Sequence, residues 1–327
     1  MQLVEQQVID RRDPRDAVID EAAFTSKNLS TAANDEYRQA FIHEGRYLND
    51  HEVQKRMQSS DSSQALPANV SQQVLLVLDK NGKGLREALQ ASDEDSSTFL
   101  GRPKRPKYTH KTEGRTILVD TIQAISRGKD GWTCGIITPS MLAIEVQTQH
   151  TDVNQVRIVP RKGCSLVEVV DEQEQKPTAV DPERLAGGDR GLNHLVALTS
   201  NKPGFVPVVV HGRGLKSCNQ FSNKRRAHLQ TSLGHPGSTP RMEKLTNTRN
   251  RRVDHDLHTM SRFVLEVLVA EGIGTLVIGK NDGWKQEATM GKRNNQQCVQ
   301  LPHARFIAML TSKAELAGMT VRLTEES

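Results

Sequence analysis

The stretch that opens with GGDRGLN constrains this chain more than any other. It frames Asp189 with Gly187, Gly188 and Gly191, and LVALTS then alternates apolar and polar like the returning strand of a hairpin. Further on, RMEKLTNTRNRRVDHDLHTMSRFVLEVLVAEG carries Met242, Leu245, Leu257, Met260, Val264 and Leu268 at helical spacing. It reads as one long helix ended by Gly272 and Gly274. TLVIG follows as a buried strand, residues 303–317 as a second amphipathic helix closed by Gly318, and MTVRLTEES as a last strand. The order strand, hairpin, helix, strand, helix, strand predicts an α/β layer with a carboxylate at a strand end.

That order is the order of an RNase H-like core, and it suggests a chemistry. Metal-dependent phosphodiester cleavage needs carboxylates that hold one or two divalent cations, and hard oxygen ligands suit magnesium or manganese. Asp189 is the first candidate ligand; Glu325 and Glu326, at the end of the last strand, are the others. Read alone, G-x-D-x-G is also a common turn, and only the trio in one fold makes a site. His255 and His258 stand in an H-x-x-H spacing, but histidines three apart on a charged helix are expected to be solvated.

Ahead of this region the chain changes character twice. MQLVEQQVI alternates like a strand, and Pro14 to about Gly45 and Val70 to about Leu89 carry helical periodicity. ASDEDSST reads as a surface loop, and GRPKRPKYTHK as an extended basic ribbon, fit to lie along phosphates or to serve as a linker. The runs RTILVDTIQAI, IITPSMLAIEVQTQ, VNQVRIVP and CSLVEVVDEQ then predict a small β domain. If MQLVEQQVI joins its sheet, the helices are an insertion after its first strand. VDPERLAGG reads as the boundary to the last domain.

Charge follows this division. Residues 1–100 hold 11 basic and 17 acidic side chains and the remainder 33 and 22, so the body of the chain calls for a polyanionic partner. Residues 213–262 alone hold 11 basic against 3 acidic. Cys134, Cys164, Cys218 and Cys298 form no C-x-x-C pair, which argues against a zinc ribbon or a disulfide framework and for a reducing cytoplasm. No apolar run approaches the roughly 18 residues of a membrane span.

Together these residues resemble the TnpB family, insertion-sequence proteins described as transposases and understood as compact RNA-guided DNA endonucleases. The resemblance rests on G-x-D-x-G-x-N at 187–193, K-S-x-N-Q-F-x-N-K-R at 216–225 and R-x-x-D-x-x-L-H-x-x-S-R at 251–262. It continues through G-T-L-V-I-G-K-N-D-G-W-K-Q at 274–286, M-G-K-R-N-N-Q at 290–296 and K-A-E-L-x-G-x-x-V-x-L-T-E-E-S at 313–327. It implies an α/β multidomain protein: a first strand at 1–10, a helical recognition lobe at 11–100, a β-barrel-like domain at 101–184 and a RuvC-like (RNase H-like) nuclease domain at 185–327. The partners it implies are guide RNA and target DNA, with no membrane. Its basic contacts would be Lys104, Arg105, Lys107, Lys216, Lys224, Arg225, Arg226, Arg249, Arg251, Arg252, Arg262, Lys285, Lys292 and Arg293.

The same resemblance makes Asp189 the first catalytic carboxylate. Most of the family sets the second where this chain has Gly279; one branch uses a glutamate before Tyr-Thr-Ser, which points to Glu326 with Glu325 beside it. The family's zinc finger and third carboxylate are expected to be missing, so magnesium or manganese would bind weakly and cleavage would be lost or impaired. The competing readings are a nuclease-dead guided repressor and a non-functional relic. Arg190 and Asp171 also stand where apolar strand residues are expected, and a buried unpaired charge there would cost several kcal/mol.

Overall fold

The computed structural model describes residues 2–325 apart from 105, 128–134, 140, 141, 143, 151, 176, 177, 192 and 281–300. The chain divides into two compact units, Gln2–Gln173 and Glu174–Ser327.

The first unit opens with strand β1 (Gln2–Asp10), followed by helices α1 (Arg15–His43), α2 (Asp50–Met57), α3 (Asp61–Gln64) and α4 (Ala68–Glu94). Strands β2 (Leu118–Thr121), β3 (Ile125–Arg127), β4 (Gly135–Pro139), β5 (Val146–Thr148), β6 (Val153–Arg161) and β7 (Cys164–Glu172) complete it. One antiparallel sheet has the order β1-β7-β6-β2, and a smaller one has β3-β4-β5. β1 pairs with β7 along its whole length, from Gln2↔Glu172 to Asp10↔Cys164. The four helices therefore lie, in chain order, between the two edge strands of the larger sheet.

Local chemistry accounts for most of these elements. α1 buries Ile19, Ala22, Ala23, Ser26, Leu29 and Ala33, one stripe of a 3.6-residue period. α2 starts on a capping box, the Asn49 side chain accepting from the Glu52 N–H while the Glu52 carboxylate accepts from the Asn49 N–H. In β6 and β7, Val153, Val156, Ile158, Val167 and Val169 are fully buried, each contributing about 1.5–3 kcal/mol by leaving water.

Two stretches differ from the sequence expectation. α4 runs on through ASDE to Glu94, because solvated polar side chains do not prevent backbone bonds from continuing the helix. RTILVDTIQAI is broken by a 3₁₀ turn at Ile122–Ala124 between β2 and β3.

The second unit contains β8 (Asp181–Asp189), β9 (His194–Ser200), β10 (Val208–His211), α5 (Arg213–Leu233), α6 (Pro240–Ala270), β11 (Ile273–Lys280), α7 (His303–Leu316) and β12 (Thr320–Glu325). VDPERLAGG thus forms most of a strand rather than a connector. The sheet order is β10-β9-β8-β11-β12, antiparallel from β10 to β8 and parallel from β8 to β12. The β11–β12 crossover includes α7, as a parallel pair requires a long connection.

α6 has Pro240 in its first turn and the Thr239 hydroxyl accepting from the Met242 N–H. Val253, Leu257, Val264, Leu265 and Leu268 form its buried stripe, and Gly272, at φ +68°, turns the chain out of the helix. α7 buries Phe306, Ile307, Met309, Leu310 and Ala314 and is closed by Gly318 at φ +74°. Lys313 locks α7 to α6: its Nζ donates to the His258 carbonyl at 2.6 Å and to the buried Ser261 hydroxyl at 2.7 Å. Burial lowers the Lys313 pKa. At Gly274 a Cβ would lie 2.6 Å from the Asp181 carbonyl oxygen and 2.8 Å from the Pro182 nitrogen, so only glycine lets β11 approach β8 there.

Candidate metal-binding cleft and basic helices

Asp189 is the last residue of β8, at the C-terminal end of the parallel strands, where open α/β sheets bind their ligands. The glycines before it decide which way it points. A Cβ on Gly188 would sit 3.2 Å from Val196 and 3.4 Å from Leu198, so that face is closed by packing. A Cβ on Gly187 would meet only Thr199, at 3.9 Å, so the opposite face is open. The two-residue alternation places Asp189 on the open face with Gly187. Asp189 is exposed and has no hydrogen bond or ion pair among the described residues.

That face forms a cleft of about 510 Å³ whose lining includes Gly187, Asp189, Thr199, Val277, Gly279 and Thr324. Gly279 pairs with Thr324, and Lys280 with Glu325. The middle strand therefore contributes no side chain at Gly279. Asp189 is the one carboxylate among the described residues lining the cleft. Glu325 follows Thr324 by one residue, so the pleat turns it to the face opposite Asp189. Of the expected acidic trio, Asp189 faces the cleft, Glu325 does not, and Glu326 lies outside the described residues.

Arg190 lies just past the end of β8. It is half-buried, and its Nε is buried without a hydrogen-bond partner among the described residues. Asp171 stays inside β7, and residues that sequence reasoning missed engage its Oδ2: His150 Nδ1 lies 2.8 Å away and the Gln173 amide donates to it at 3.2 Å, while Oδ1 has no hydrogen-bond partner among the described residues. The same imidazole approaches Glu5 with its other nitrogen at 3.8 Å.

The expected phosphate contacts separate into engaged and free cations. Arg249 Nε donates to the buried Asn219 side chain at 2.7 Å, tying α6 to α5. Lys216 donates to Asn193 at 2.9 Å, and Arg262 pairs with Glu266 at 2.7 Å. Arg251 is exposed. Lys224, Arg225 and Arg226 on α5 and Arg252 on α6 are exposed and carry no hydrogen bond or ion pair among the described residues.

Lys104 and Lys107 are exposed on a ribbon held to α1 by Tyr108, whose hydroxyl donates to Asp35 at 2.8 Å beneath the Arg38 guanidinium. Arg105, Lys285, Lys292 and Arg293 lie outside the described residues. His258 is held below its ordinary pKa by burial and by the nearby Lys313 and Arg305 cations, a poor setting for a metal shared with His255. No group of three or more metal-ligating side chains converges among the described residues. No helix among them is long and apolar enough to cross a membrane.

Residues 166–285 match a family described as probable transposase, OrfB of the IS605 type. No curated protein matches the chain. A solved Cas12f1–sgRNA–target DNA complex is similar over 94% of this chain and 72% of its own, with a TM-score of 0.58 at 12% identity. A CRISPR-Cas12f ternary complex aligns over 95% and 70% at 12% identity, but with a TM-score of 0.37. The likeness of fold, mixed α/β throughout, rests on the first. The transposase match begins within β7 and runs past β11, taking in Asp189 and both basic helices, so that this region of the chain is similar to the OrfB-type probable transposases.

Proposed function

We propose that this chain binds DNA under the direction of a guide RNA and that its second unit is a RuvC-like, RNase H-like core with impaired cleavage. The first unit, on this reading, is the family's β-barrel-like domain with its helical lobe inserted after β1. The observation that carries the proposal is Asp189: an unpaired carboxylate, open to a cleft at the ends of three parallel strands.

A solvent-open carboxylate is the right kind of donor for magnesium or manganese. Asp189, with Glu326 as the second ligand, would hold the cation, which when bound supplies Lewis-acid polarisation of a phosphate oxygen. Because Gly279 offers no side-chain ligand, the donor set is sparse and the cation is held weakly. Lys224, Arg225, Arg226 and Arg252 supply sequence-independent attraction to phosphates, while base pairing supplies sequence choice.

The test uses the purified chain, a guide RNA transcribed from its own element and a matching DNA duplex, with magnesium varied. Expected are guide-dependent binding that weakens steeply with salt, persistence of that binding in Asp189→Ala, and no cut strand. A magnesium-dependent cut abolished by Asp189→Ala overturns the loss of cleavage. Binding indifferent to the guide overturns the whole reading.

A further inference from the structure

Strand β9 begins and strand β10 ends with a histidine, and the sheet brings the two together. His194 and His211 are register partners, at a point where the pairing shifts between Val210 and His211. Their Nδ1 atoms stand 3.2 Å apart, with ring centroids at 5.1 Å and planes tilted by 46°. Neither ring has another hydrogen bond or ion pair among the described residues, and His211 is exposed.

Two imidazole nitrogens bound to one tetrahedral ion at about 2.0–2.1 Å are about 3.3 Å from each other, and in a square arrangement about 2.9 Å. The observed separation falls between these values. The backbone around the pair is pinned: the Gly212 N–H donates to the Asn193 carbonyl at 2.9 Å and the Gly191 N–H to the His194 carbonyl at 3.0 Å. The Asn193 side chain in turn accepts from Lys216. A ligand pair on paired strands with fixed backbones is preorganised.

We infer that His194 and His211 form a two-histidine site for a divalent transition metal of the zinc, nickel or copper class, with water completing the coordination. The site is distinct from the Asp189 cleft. Neither histidine is among the residues lining that cleft, and Asp189 pairs with Ala197, three residues along β9 from His194. The ligand chemistry differs as well, imidazole nitrogen against carboxylate oxygen. A bound ion would staple the end of β10 to the start of β9, next to the first turn of α5. The sequence reading expects no zinc because it rests on cysteine pairs and helical spacing, whereas this pair arises only from strand register.

The test titrates the full chain with zinc chloride in excess magnesium chloride, following heat and metal stoichiometry. Expected is one saturable zinc per chain, weakened about tenfold or more by His194→Ala or His211→Ala. It should be unmoved by the double change His255→Ala with His258→Ala. Absence of saturable binding, or binding unchanged by both hairpin substitutions, overturns the site. Should the hairpin variants fail to fold by circular dichroism, copper(II) resonance on the His255→Ala/His258→Ala chain decides: coupling to two nitrogens supports the site, and none overturns it.

Discussion

Two aspartates, one in each unit, sit at or near the end of a strand and have opposite fates. Asp171 in β7 is 4% exposed and is held by His150. Asp189, closing β8, is exposed, has no side-chain partner among the described residues, and faces a cleft. A buried carboxylate survives only with a partner, since leaving it alone costs several kcal/mol, so Asp171 is part of the scaffold. An exposed carboxylate needs no partner and stays available to a ligand. Residue type and strand position are nearly the same; the surroundings separate structure from chemistry.

The sharpest way to break this comparison is to remove the imidazole partner of Asp171. His150→Ala leaves the buried Asp171 carboxylate with only the Gln173 amide, which donates to Oδ2 at 3.2 Å, and urea unfolding is expected to show a loss of about 1–3 kcal/mol. A loss under about 0.5 kcal/mol would mean that water replaces the imidazole freely, and Asp171 would no longer differ from Asp189.

At Asp189 the opposite holds. Asp189→Ala is expected to change stability by no more than about 0.5 kcal/mol, while abolishing any rise in melting temperature that magnesium gives the parent chain. A marked destabilisation would show that Asp189 is scaffold after all.

The smallest effect belongs to His258, a half-buried titratable group whose pKa is lowered by burial and by the Lys313 and Arg305 cations against the pull of Asp254. Its pKa is lowered in the fold, so between that value and the ordinary 6.5 the unfolded chain binds more protons. Stability is full above pH 6.5 and declines as pH falls through the folded value. Melting temperatures across that window should show a shallow acid slope that His258→Gln flattens; an unchanged slope would assign it to other groups.

Much of the fold was legible because its signals are local. β1 alternates, α1 and α6 carry their apolar stripes, and Gly272 and Gly318 close the helices that the sequence ends there. The candidate site was legible only in part. Asp189 announced itself by its glycines, but period alone could not say that Gly188 faces the packed side and Gly187 the open one. Basic residues looked alike until Arg249 proved to hold Asn219 and Lys216 to hold Asn193, while Lys224, Arg225 and Arg226 have no side-chain partner among the described residues.

The amino-acid sequence by itself determined helix and strand periods, helix ends and the uneven charge, because each depends on residues within a turn or two of one another. Tertiary structure alone decided that β1 pairs with β7, that His150 meets Asp171 and that His194 meets His211. Those contacts join residues distant in the chain, and their register is set by which faces the sheet must bury. No local pattern carries that information, and the same register separates the carboxylate that holds the fold from the one left open to a ligand.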